Sequence, residues 1–388
     1  MIIPSHFINS WPPSVLGILL MFAVLVQMGY IFFVFARSAF YKSKISDSIL
    51  PPVSIIVSAY NELENLRELL PLLNNQQYPV FEVIIVNDRS KDGTIEFIEN
   101  EVAIYDKVRF IHIDKDYDHV TPKKYALTTA IRNAKYEVVL LTDADCRPAS
   151  EHWVERMAEK LDENKKIVVG FSPYSKESGF LNRLIRFETF YVAAQYLSFA
   201  LASKPYMGVG RNLMYHKSLF LENKGFYSHL KVMGGDDDLL MNEISTPKNT
   251  AICIDEGAFV YSEPKHNWTE WFNQKKRHLS VSKYYKSSNK ITLGLLSISQ
   301  ILAWILFIVL SVSSIFVFQS NPLYLYGSIA VFGFYLVIKS IILILINQKL
   351  DKTVGWYAIP FLDFVLSVYY VVMGFVAWKN RNTKIRWK

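Results

Sequence analysis

The chain has 388 residues, of which 51% are hydrophobic and 15% aromatic, enough for one substantial domain with additional elements. Its two cysteines, Cys146 and Cys253, are too few for a disulfide framework, which indicates a reducing compartment. The net charge of +7 collects beside apolar segments and forms no separate basic helix, which argues against a nucleic-acid partner.

Four apolar runs lie at residues 13–36, 291–318, 323–347 and 354–378. Each is long enough to cross a bilayer, which takes about 20 residues. Nothing positive precedes the first run, so we predict a permanent anchor and not a cleaved signal. Arg37, Lys42 and Lys44 follow that run, and the C-terminal tail KNRNTKIRWK is also basic, as is typical of cytoplasmic flanks. The sequence therefore predicts an integral protein of an inner or plasma membrane, in contact with membrane lipids, whose large domain faces the cytoplasm.

The third and fourth runs raise two questions. Four crossings from an outside N-terminus put the basic tail outside, so either one late segment is re-entrant or interfacial, or the tail departs from the positive-inside rule. Lys339 and Asp363 lie at similar distances from the joining loop NQKLDK. A helical hairpin would bring them to matched depth, where each neutralises the other. Alternatively, Lys339 extends to the interface and Asp363 caps a break after Pro360.

Between the membrane runs, short apolar segments alternate with amphipathic ones. The runs VSIIVSA, FEVIIVND, VRFIHI and YEVVLLTDAD predict four buried strands. The segments between them, ELENLRELLPLLNNQ, KDGTIEFIENEVA and TPKKYALTTAIRNA, predict helices. This order favours an α/β domain with a mostly parallel sheet. We expect the membrane anchor at residues 1–45, the α/β domain at 46–288 and a C-terminal membrane region at 289–388.

Polar residues follow three of these strands, at Ala59–Glu62, Asn87–Arg89 and Thr142–Asp145. Ligands of parallel sheets bind beyond the carboxyl ends of the strands. Asp143 and Asp145 can present oxygen to one Mg²⁺ or Mn²⁺, whose other ligands would be the oxygens of a diphosphate. Each carboxylate alone is equally compatible with helix capping or a turn.

The order of these motifs resembles that of the family 2 glycosyltransferases, over about residues 50–280. VSIIVSAYNE, EVIIVNDRSKDGT, TPKKYAL, TDAD, GVGRN, GGDDDLL and QKKRH are each similar to a segment of that family. The resemblance implies the GT-A fold, a Rossmann-like cytoplasmic domain with a mostly parallel sheet, here with transmembrane helices at both ends. It also implies transfer of a hexosyl or N-acetylhexosaminyl group from a nucleotide-sugar donor, with uridine diphosphate sugars the first candidates.

The resemblance assigns roles to matching positions of this chain. The nucleotide-sugar site would comprise Ala59, Tyr60, Glu62, Asp88, Lys123 or Lys124, Asp143, Gln274 and Arg277. The metal ligands would be Asp143 and Asp145. The acceptor side would comprise Gly210, Arg211, Asn212 and His278. For Arg277, a plain surface or membrane-flanking cation is the alternative.

The catalytic base falls in the triplet Asp236–Asp238. The resemblance implies that Asp236 deprotonates the acceptor hydroxyl, with inversion at the anomeric carbon, but Gly235 replaces the family's usual Glu and leaves Asp237 as the alternative. Mutual repulsion in the triplet is expected to raise at least one carboxyl pKa. The triplet also suits the cap of a helix beginning at LLMNEI.

The acceptor is expected to be a lipid-linked or other membrane-associated glycan. His278 replaces the tryptophan usual in polymer-extending relatives, and four spans are few for a polymer channel, so single transfer is favoured over a processive polysaccharide synthase. A catalytically inactive membrane scaffold and a transporter are the alternatives from other classes.

Two segments are each compatible with two different environments. The apolar segment 178–203 fits either helices in the membrane interface or a buried helical face of the domain. Trp268 and Trp271 fit either an interfacial belt or packing inside the domain.

Overall fold

The computed structural model describes residues 13–43, 49–101, 104–316, 322–352 and 354–379. Lys44 and the tail from residue 380 onward, both used above for the orientation, lie outside these residues, as does the expected boundary at 45/46. The chain divides into two compact units. One contains the apolar helices, and the other contains the sheet and the helices between residues 41 and 285.

The sheet unit is built from buried β-branched runs. Its strands are β1 (Val53–Ala59), β2 (Phe81–Asp88), β3 (Val108–Ile113), β4 (Val138–Asp143), β5 (Cys146–Pro148), β6 (Ile167–Val169), β7 (Leu213–His216), β8 (Thr250–Ile252) and β9 (Val260–Ser262). In the described residues, seven strands form one sheet in the order β3-β2-β1-β4-β7-β6-β8, and β5 pairs with β9. The first four strands are parallel, as the sequence predicts, whereas β7 runs antiparallel to both of its neighbours.

The helices of this unit include three at the segments predicted between the strands. The helices are α2 (Leu63–Asn74), α3 (Thr94–Glu101), α4 (Pro122–Asn133), α5 (Trp153–Ala158), α6 (Phe180–Leu201), α7 (Lys217–Glu222), α8 (Asp238–Ile244) and α9 (Trp268–Ser282). Helix α3 begins three residues later than the segment KDGTIEFIENEVA suggests. The reason is that the Asp92 carboxylate accepts hydrogen bonds from the backbone N–H of Thr94 and of Leu63, which fixes a turn before the helix.

The structure favours the buried alternative for the apolar segment near residue 190. Helix α6 buries most of its length, including both polar and aromatic side chains. Its Glu188 forms an ion pair with Lys275 of α9, and both side chains are nearly inaccessible. The tryptophans of α9 differ from each other: Trp271 is fully buried, whereas Trp268 is 44% exposed.

The other unit contains helices that are long and apolar enough to cross a membrane. Helix α1 (Pro13–Tyr30) continues through a π-helical turn (Ile31–Phe35) into a last turn (Ala36–Ala39). The later helices are α10 (Ser287–Phe316), α11 (Leu323–Lys349) and α12 (Ile359–Lys379). Four candidate spans result, with mean hydropathies of 1.9 to 2.7. The predicted membrane helices at both ends of the chain are therefore present.

The hairpin alternative for the two intramembrane charges is confirmed. Lys339 Nζ lies 2.7 Å from Asp363 Oδ1, and both side chains are buried. The carboxylate also accepts hydrogen bonds from Gln300 Nε2 and Trp304 Nε1, both at 3.1 Å. Helices α10, α11 and α12 are therefore joined by one polar cluster, in which the charges compensate each other inside an apolar bundle.

Candidate active site

The register of the parallel strands brings the three predicted polar segments to one edge of the sheet. Ser58 of β1 pairs with Asp143 at the end of β4, and Ala59 pairs with Asn87 at the end of β2. Asp88 is the last residue of β2 and is buried. The carboxylates predicted to form a site therefore lie at the carboxyl ends of adjacent strands, where ligands of such sheets bind.

Two strand-end loops are joined by hydrogen bonds across this edge. Asn61 adopts a left-handed conformation (φ 57°), which an Asn tolerates well. Its backbone N–H donates to Ser90 Oγ, and its side-chain oxygen accepts from the N–H of Lys91, both at 2.8 Å. These bonds hold the loop that carries Tyr60 against the loop that follows Asp88. Tyr60 itself is 57% exposed and therefore available to a ligand.

Asp88 has a partner that the sequence did not reveal. Arg89, also in a left-handed conformation (φ 58°), donates from Nε to Asp88 Oδ1 at 2.8 Å. Arg89 Nη1 lies 2.6 Å from Asp116, beyond the end of β3. The predicted nucleotide-binding carboxylate is therefore held by an arginine that also connects to the neighbouring strand end. The sequence signal was the charged residue directly after Asp88, which turn chemistry alone explained equally well.

Lys123 connects the predicted donor site to the predicted base. Its ammonium lies 2.9 Å from Asp143 Oδ1 and 3.2 Å from Asp236 Oδ2. Burial alone would lower the pKa of Lys123, but the two carboxylates outweigh it and raise that pKa. For Asp236, burial acts to raise the carboxyl pKa, but the Lys123 ammonium, a backbone hydrogen bond and the charge of Lys124 together outweigh it, so the pKa is lowered. Asp236 is therefore ionised and able to accept a proton, and the rise in pKa expected from repulsion in the triplet occurs at its two neighbours.

Asp237 and Asp238 have structural partners. Asp237 caps helix α8: it accepts from the N–H of Asp238 at 2.8 Å and, through its other oxygen, from the N–H of Gly210 at 2.7 Å. The phenol of Tyr285 donates to Asp238 Oδ2 at 2.7 Å. Burial, then neighbouring carboxylates, raise the pKa of Asp237 and raise that of Asp238 to about 7. The cap expected of the triplet is thus Asp237, and Asp236 is the carboxylate that faces Lys123.

The backbone conformation explains why Gly235 stands where the family usually has Glu. Gly234 and Gly235 both adopt positive φ angles, of 80° and 77°. A Cβ at Gly235 would lie 2.6 Å from Leu239 Cδ1, closer than real Cβ contacts. A glutamate at this position would be strained in backbone and side chain alike, so this chain turns into α8 on a glycine pair.

The segment that begins at Gly210 reaches both the triplet and the motif in α9. Gly210 bonds to Asp237, as described, and Arg211 lies over the ring of Tyr174, with Cζ 4.6 Å from the centroid. Gln274 Nε2 donates to the Tyr174 hydroxyl at 3.2 Å. Tyr174 therefore joins the predicted acceptor segment to the predicted donor-closing residue Gln274.

His278 lies near four cations of this region. The imidazole is exposed, and the positive charges of the neighbouring side chains disfavour its protonation, so its pKa is lowered. Those cations are Lys275, Arg277, Arg211 and Lys123. The imidazole of His278 is therefore neutral near pH 7 and adds no charge to the site.

Two predicted site residues lie inside the fold. Lys124 is fully buried and donates to the carbonyls of His229 and Val232 at 2.6 and 2.8 Å. Of the two lysines proposed for the phosphates, Lys123 is therefore the one that reaches the carboxylates. Asn212 is also fully buried; its amide nitrogen donates to two carbonyls and its oxygen accepts from Trp153 Nε1. Its side chain has no exposed atom to offer an acceptor.

Asp143 and Asp145 fit a divalent cation that brings further ligands with it. Both side chains are partly exposed beyond β4. Burial raises the pKa of the nearby Glu62, and the charges of Asp145 and Asp143 raise it further, which places Glu62 beside the pair. Among the described residues no group of three His, Cys, Asp or Glu side chains is arranged to hold a metal. Mg²⁺ or Mn²⁺ bound here would therefore complete its shell with diphosphate oxygens and water.

The site also contains residues that the sequence reasoning missed, namely Arg89, Tyr174 and Tyr285. Each acts by contacting a predicted site residue from a distant part of the chain or from a neighbouring loop position. A local pattern carries little information about such pairs, so only Arg89, adjacent to Asp88, left any trace in the sequence.

Comparison with known proteins gives this arrangement a family. Residues 54–223 match the model of Glycosyl transferase family 2. The chain is 32% identical over 111 residues to glycosyltransferase AglE of Haloferax volcanii, which covers 28% of this chain and 35% of that protein. It is 26% identical over 252 residues to the probable glycosyltransferase YdaM of Bacillus subtilis. That alignment covers 61% of this chain and 56% of YdaM. The chain thus spans less than two thirds of the length of either relative.

A solved structure has the same fold. The mannosyltransferase PcManGT from Pyrobaculum calidifontis, in complex with GDP-Man and Mn²⁺, superposes with a TM-score of 0.56 at 18% identity. The match covers 86% of this chain and 98% of that chain. Residues 54–223 therefore match a glycosyltransferase family 2 domain, and the chain has the GT-A fold of that structure.

Proposed function

We propose that this protein transfers a sugar from a nucleotide-diphosphate sugar to a hydroxyl of a lipid-linked or other membrane-associated acceptor, with inversion at the anomeric carbon. A uridine diphosphate hexose or N-acetylhexosamine is the first candidate donor. Guanosine diphosphate mannose is the second, because the superposed mannosyltransferase is in complex with it.

One observation carries the proposal: a single ammonium contacts both the strand-end carboxylate and the carboxylate after the glycine pair. Lys123 lies 2.9 Å from Asp143 and 3.2 Å from Asp236. Donor and acceptor groups must meet within a few ångströms for transfer. A donor diphosphate near Asp143 would therefore place its anomeric carbon within reach of an acceptor hydroxyl near Asp236.

Asp236 is proposed as the general base. Its carboxylate would accept the hydroxyl proton as the oxygen attacks the anomeric carbon, while the bond to the diphosphate breaks. Asp237 uses both of its oxygens in backbone hydrogen bonds, which supports Asp236 over Asp237 for this role. A positioned carboxylate of this kind contributes about 10²–10⁴ in rate.

The departing diphosphate requires positive partners. Mg²⁺ or Mn²⁺, held by Asp143 and Asp145, would supply electrostatic stabilisation of that charge. Arg277 and Gln274 of α9 would close over the phosphates, as the family resemblance implies. A guanidinium suits this task because it donates two parallel hydrogen bonds to phosphate oxygens.

A membrane-associated acceptor suits a domain flanked by apolar helices. The sheet unit would lie on the cytoplasmic side, where the basic residues after the first span, such as Lys42, favour it. We propose residues 46–288 as the transferase domain and the flanking segments 1–45 and 289–388 as membrane regions. Single transfer is proposed over polymer extension, because the neutral ring of His278 replaces the larger tryptophan on which a sugar stacks.

The test is release of nucleoside diphosphate by the detergent-purified chain, given a panel of UDP- and GDP-sugars, Mg²⁺ or Mn²⁺, and membrane lipid extract as acceptor source. Turnover of one donor is expected, and chelation should abolish it. Asp236→Asn should lose about 10²–10⁴ of the rate. Asp143→Ala should weaken binding of the nucleoside diphosphate in the presence of metal.

Asp237→Asn is the matched control, because it changes an adjacent carboxylate that caps a helix. It should lower the melting temperature and leave more activity than Asp236→Asn. Product size separates the alternatives: one added sugar supports single transfer, whereas a ladder of sizes supports a processive synthase. Absence of both turnover and metal-dependent nucleotide binding in the wild type would refute the transferase and revive a scaffold or transporter role.

A further inference from the structure

We infer that the guanidinium of Arg211 is a phosphate-binding group of the active site. The family resemblance placed Arg211 only in a segment facing the acceptor. The inference rests on the proposed function, since it concerns a ligand of the same site, and it adds the chemistry of that ligand.

The fold places Arg211 at the edge that carries the carboxylates. Arg211 is the middle residue of the turn Gly210–Asn212, directly before β7. Strand β7 runs antiparallel to β4, with Leu213 opposite Leu141. The turn therefore lies beside the carboxyl end of β4, where Asp143 is found.

The guanidinium is fixed in place but not fully bonded. Its plane is held over Tyr174, and Nη2 donates to the Ser172 carbonyl at 3.3 Å. Nη1 is buried and has no hydrogen-bond partner among the described residues. Arg211 also forms no ion pair with any carboxylate in the described part of the chain. Buried N–H groups are almost always satisfied, so an unpaired one at a ligand-binding edge is available to a ligand oxygen.

Arg211 combines two features, an unpaired N–H and a place near the predicted donor site, and two other arginines each have only one of them. Arg147 lies close by, but it is occupied within the protein: its nitrogens donate to Glu68, to Asn65 and to backbone carbonyls. Arg186 is buried and has an unpaired Nε within the described residues. Its charged neighbour, however, is Asp351 and not a strand-end carboxylate. Arg211 combines an unpaired N–H with proximity to the predicted donor site.

A phosphate oxygen fits this nitrogen best. The guanidinium is permanently charged, and the carboxylates of Asp145 and Asp143 lie close enough to favour that charge. The planar guanidinium donates parallel hydrogen bonds that match phosphate oxygens. The sheet edge is also where ligands with phosphate groups bind in folds of this class.

Two sources can supply that phosphate. One is the diphosphate of the nucleotide-sugar donor, since Arg211 lies near Asp143 and Asp145. The other is the phosphate of a lipid-phosphate acceptor, since Gly210 bonds directly to Asp237 in the triplet that carries the proposed base. Both share the same chemistry, and the experiment separates them.

The experiment measures equilibrium binding to the full-length chain in detergent, with no turnover. One arm titrates UDP and GDP in the presence of Mn²⁺, and the other titrates a polyprenyl phosphate against the neutral polyprenol in mixed micelles. Arg211→Gln is expected to weaken one of the phosphate ligands about tenfold or more, as loss of a charge-assisted hydrogen bond does. Arg186→Gln is the matched control, because it removes a buried guanidinium whose charged neighbour is Asp351 and should leave both affinities unchanged.

Each outcome decides the matter. A selective loss for UDP or GDP assigns Arg211 to the donor diphosphate, and a selective loss for the polyprenyl phosphate assigns it to the acceptor. Wild-type affinity of Arg211→Gln for every ligand overturns the inference while leaving the proposed function intact. If Arg211→Gln does not fold, Arg211→Met answers the question: it keeps an apolar stem over Tyr174 and removes every donor, so unchanged affinity again overturns the inference. A wild type that binds no nucleotide refutes the proposed function as well.

Discussion

The ion pair inside the apolar bundle allows a quantitative prediction. Lys339 and Asp363 are 2.7 Å apart, with side-chain exposures of 4% and 1%. Removing one partner of a buried pair costs about 3–5 kcal/mol, because the other charge is left without compensation. Scales for membrane insertion give about 2.5–3.5 kcal/mol for one such charge at mid-depth. We therefore expect Lys339→Met and Asp363→Asn each to lower the free energy of unfolding by about 3 kcal/mol. This corresponds to about a hundredfold fall in the folded-to-unfolded ratio.

The double variant distinguishes pairing from two independent effects. With both charges removed, no charge remains unpaired, and the side-chain amide oxygen that Asp363→Asn introduces can still accept from Gln300 and Trp304. Replacing a whole buried pair is often close to neutral, so the combined Lys339→Met and Asp363→Asn variant should lie within about 1 kcal/mol of the wild type. A double-mutant cycle then gives the coupling between the two side chains.

The assay is reversible unfolding in mixed micelles with increasing SDS, followed by circular dichroism. Lys290→Met serves as the control, because Lys290 is an exposed lysine in the first turns of α10. It should change the free energy of unfolding by less than about 0.5 kcal/mol. A coupling energy below about 1 kcal/mol would refute the view that mutual neutralisation keeps these charges in the bundle.

Three further predictions concern the sheet unit. Lys123→Met should reduce kcat/KM. It should also move the acid limb of the pH profile of kcat/KM to higher pH, because the Lys123 ammonium lowers the pKa of Asp236. Lys123→Arg should restore part of the rate and part of the pH profile. The carboxyl pKa of Asp238 is raised to about 7 in the folded protein, from an ordinary value of about 3.9. The folded state therefore binds this proton more tightly than the unfolded state. The free energy of unfolding should fall as pH rises from about 4 to 7. Asp238→Asn should flatten that fall in melting temperature, and an unchanged pH dependence would contradict the assignment. Gly235→Ala should lower the free energy of unfolding by about 1–3 kcal/mol, because it combines a positive φ with a Cβ contact of 2.6 Å. Gly234→Ala should lower it by less, because its nearest Cβ contact is 3.4 Å.

The parallel half of the sheet could be predicted because its signals are local. Strands β2 and β3 begin and end at the residues expected from FEVIIVND and VRFIHI, since continuous β-branched runs are typical of buried strands. The edge that gathers Asp143 and Asp88 followed from the same reasoning, because parallel strands all end on one side. Local pattern and parallel topology together thus located the candidate site.

The other half of the sheet could not be predicted in the same way. Strands β6 and β8 have three residues each, too short for a periodic signal, and β7 pairs between β4 and β6 in the antiparallel sense. Helix α6 carries apolar residues on all sides, so its composition fitted both burial and a membrane interface. Only tertiary packing decides between such alternatives.

The division of labour within the aspartate triplet shows what the sequence leaves undetermined. Three adjacent carboxylates share composition and spacing, and their chemistry differs only through distant partners. Asp236 faces Lys123 and is ionised, Asp237 is occupied by backbone N–H groups, and Asp238 accepts from Tyr285. The carboxylate proposed as the base is therefore distinguished by a cation from α4 and not by its own neighbours. Because that same cation contacts Asp143, arrival of a diphosphate near Asp143 would compete for the ammonium of Lys123, and the ionisation of Asp236 would then depend on whether the donor is bound.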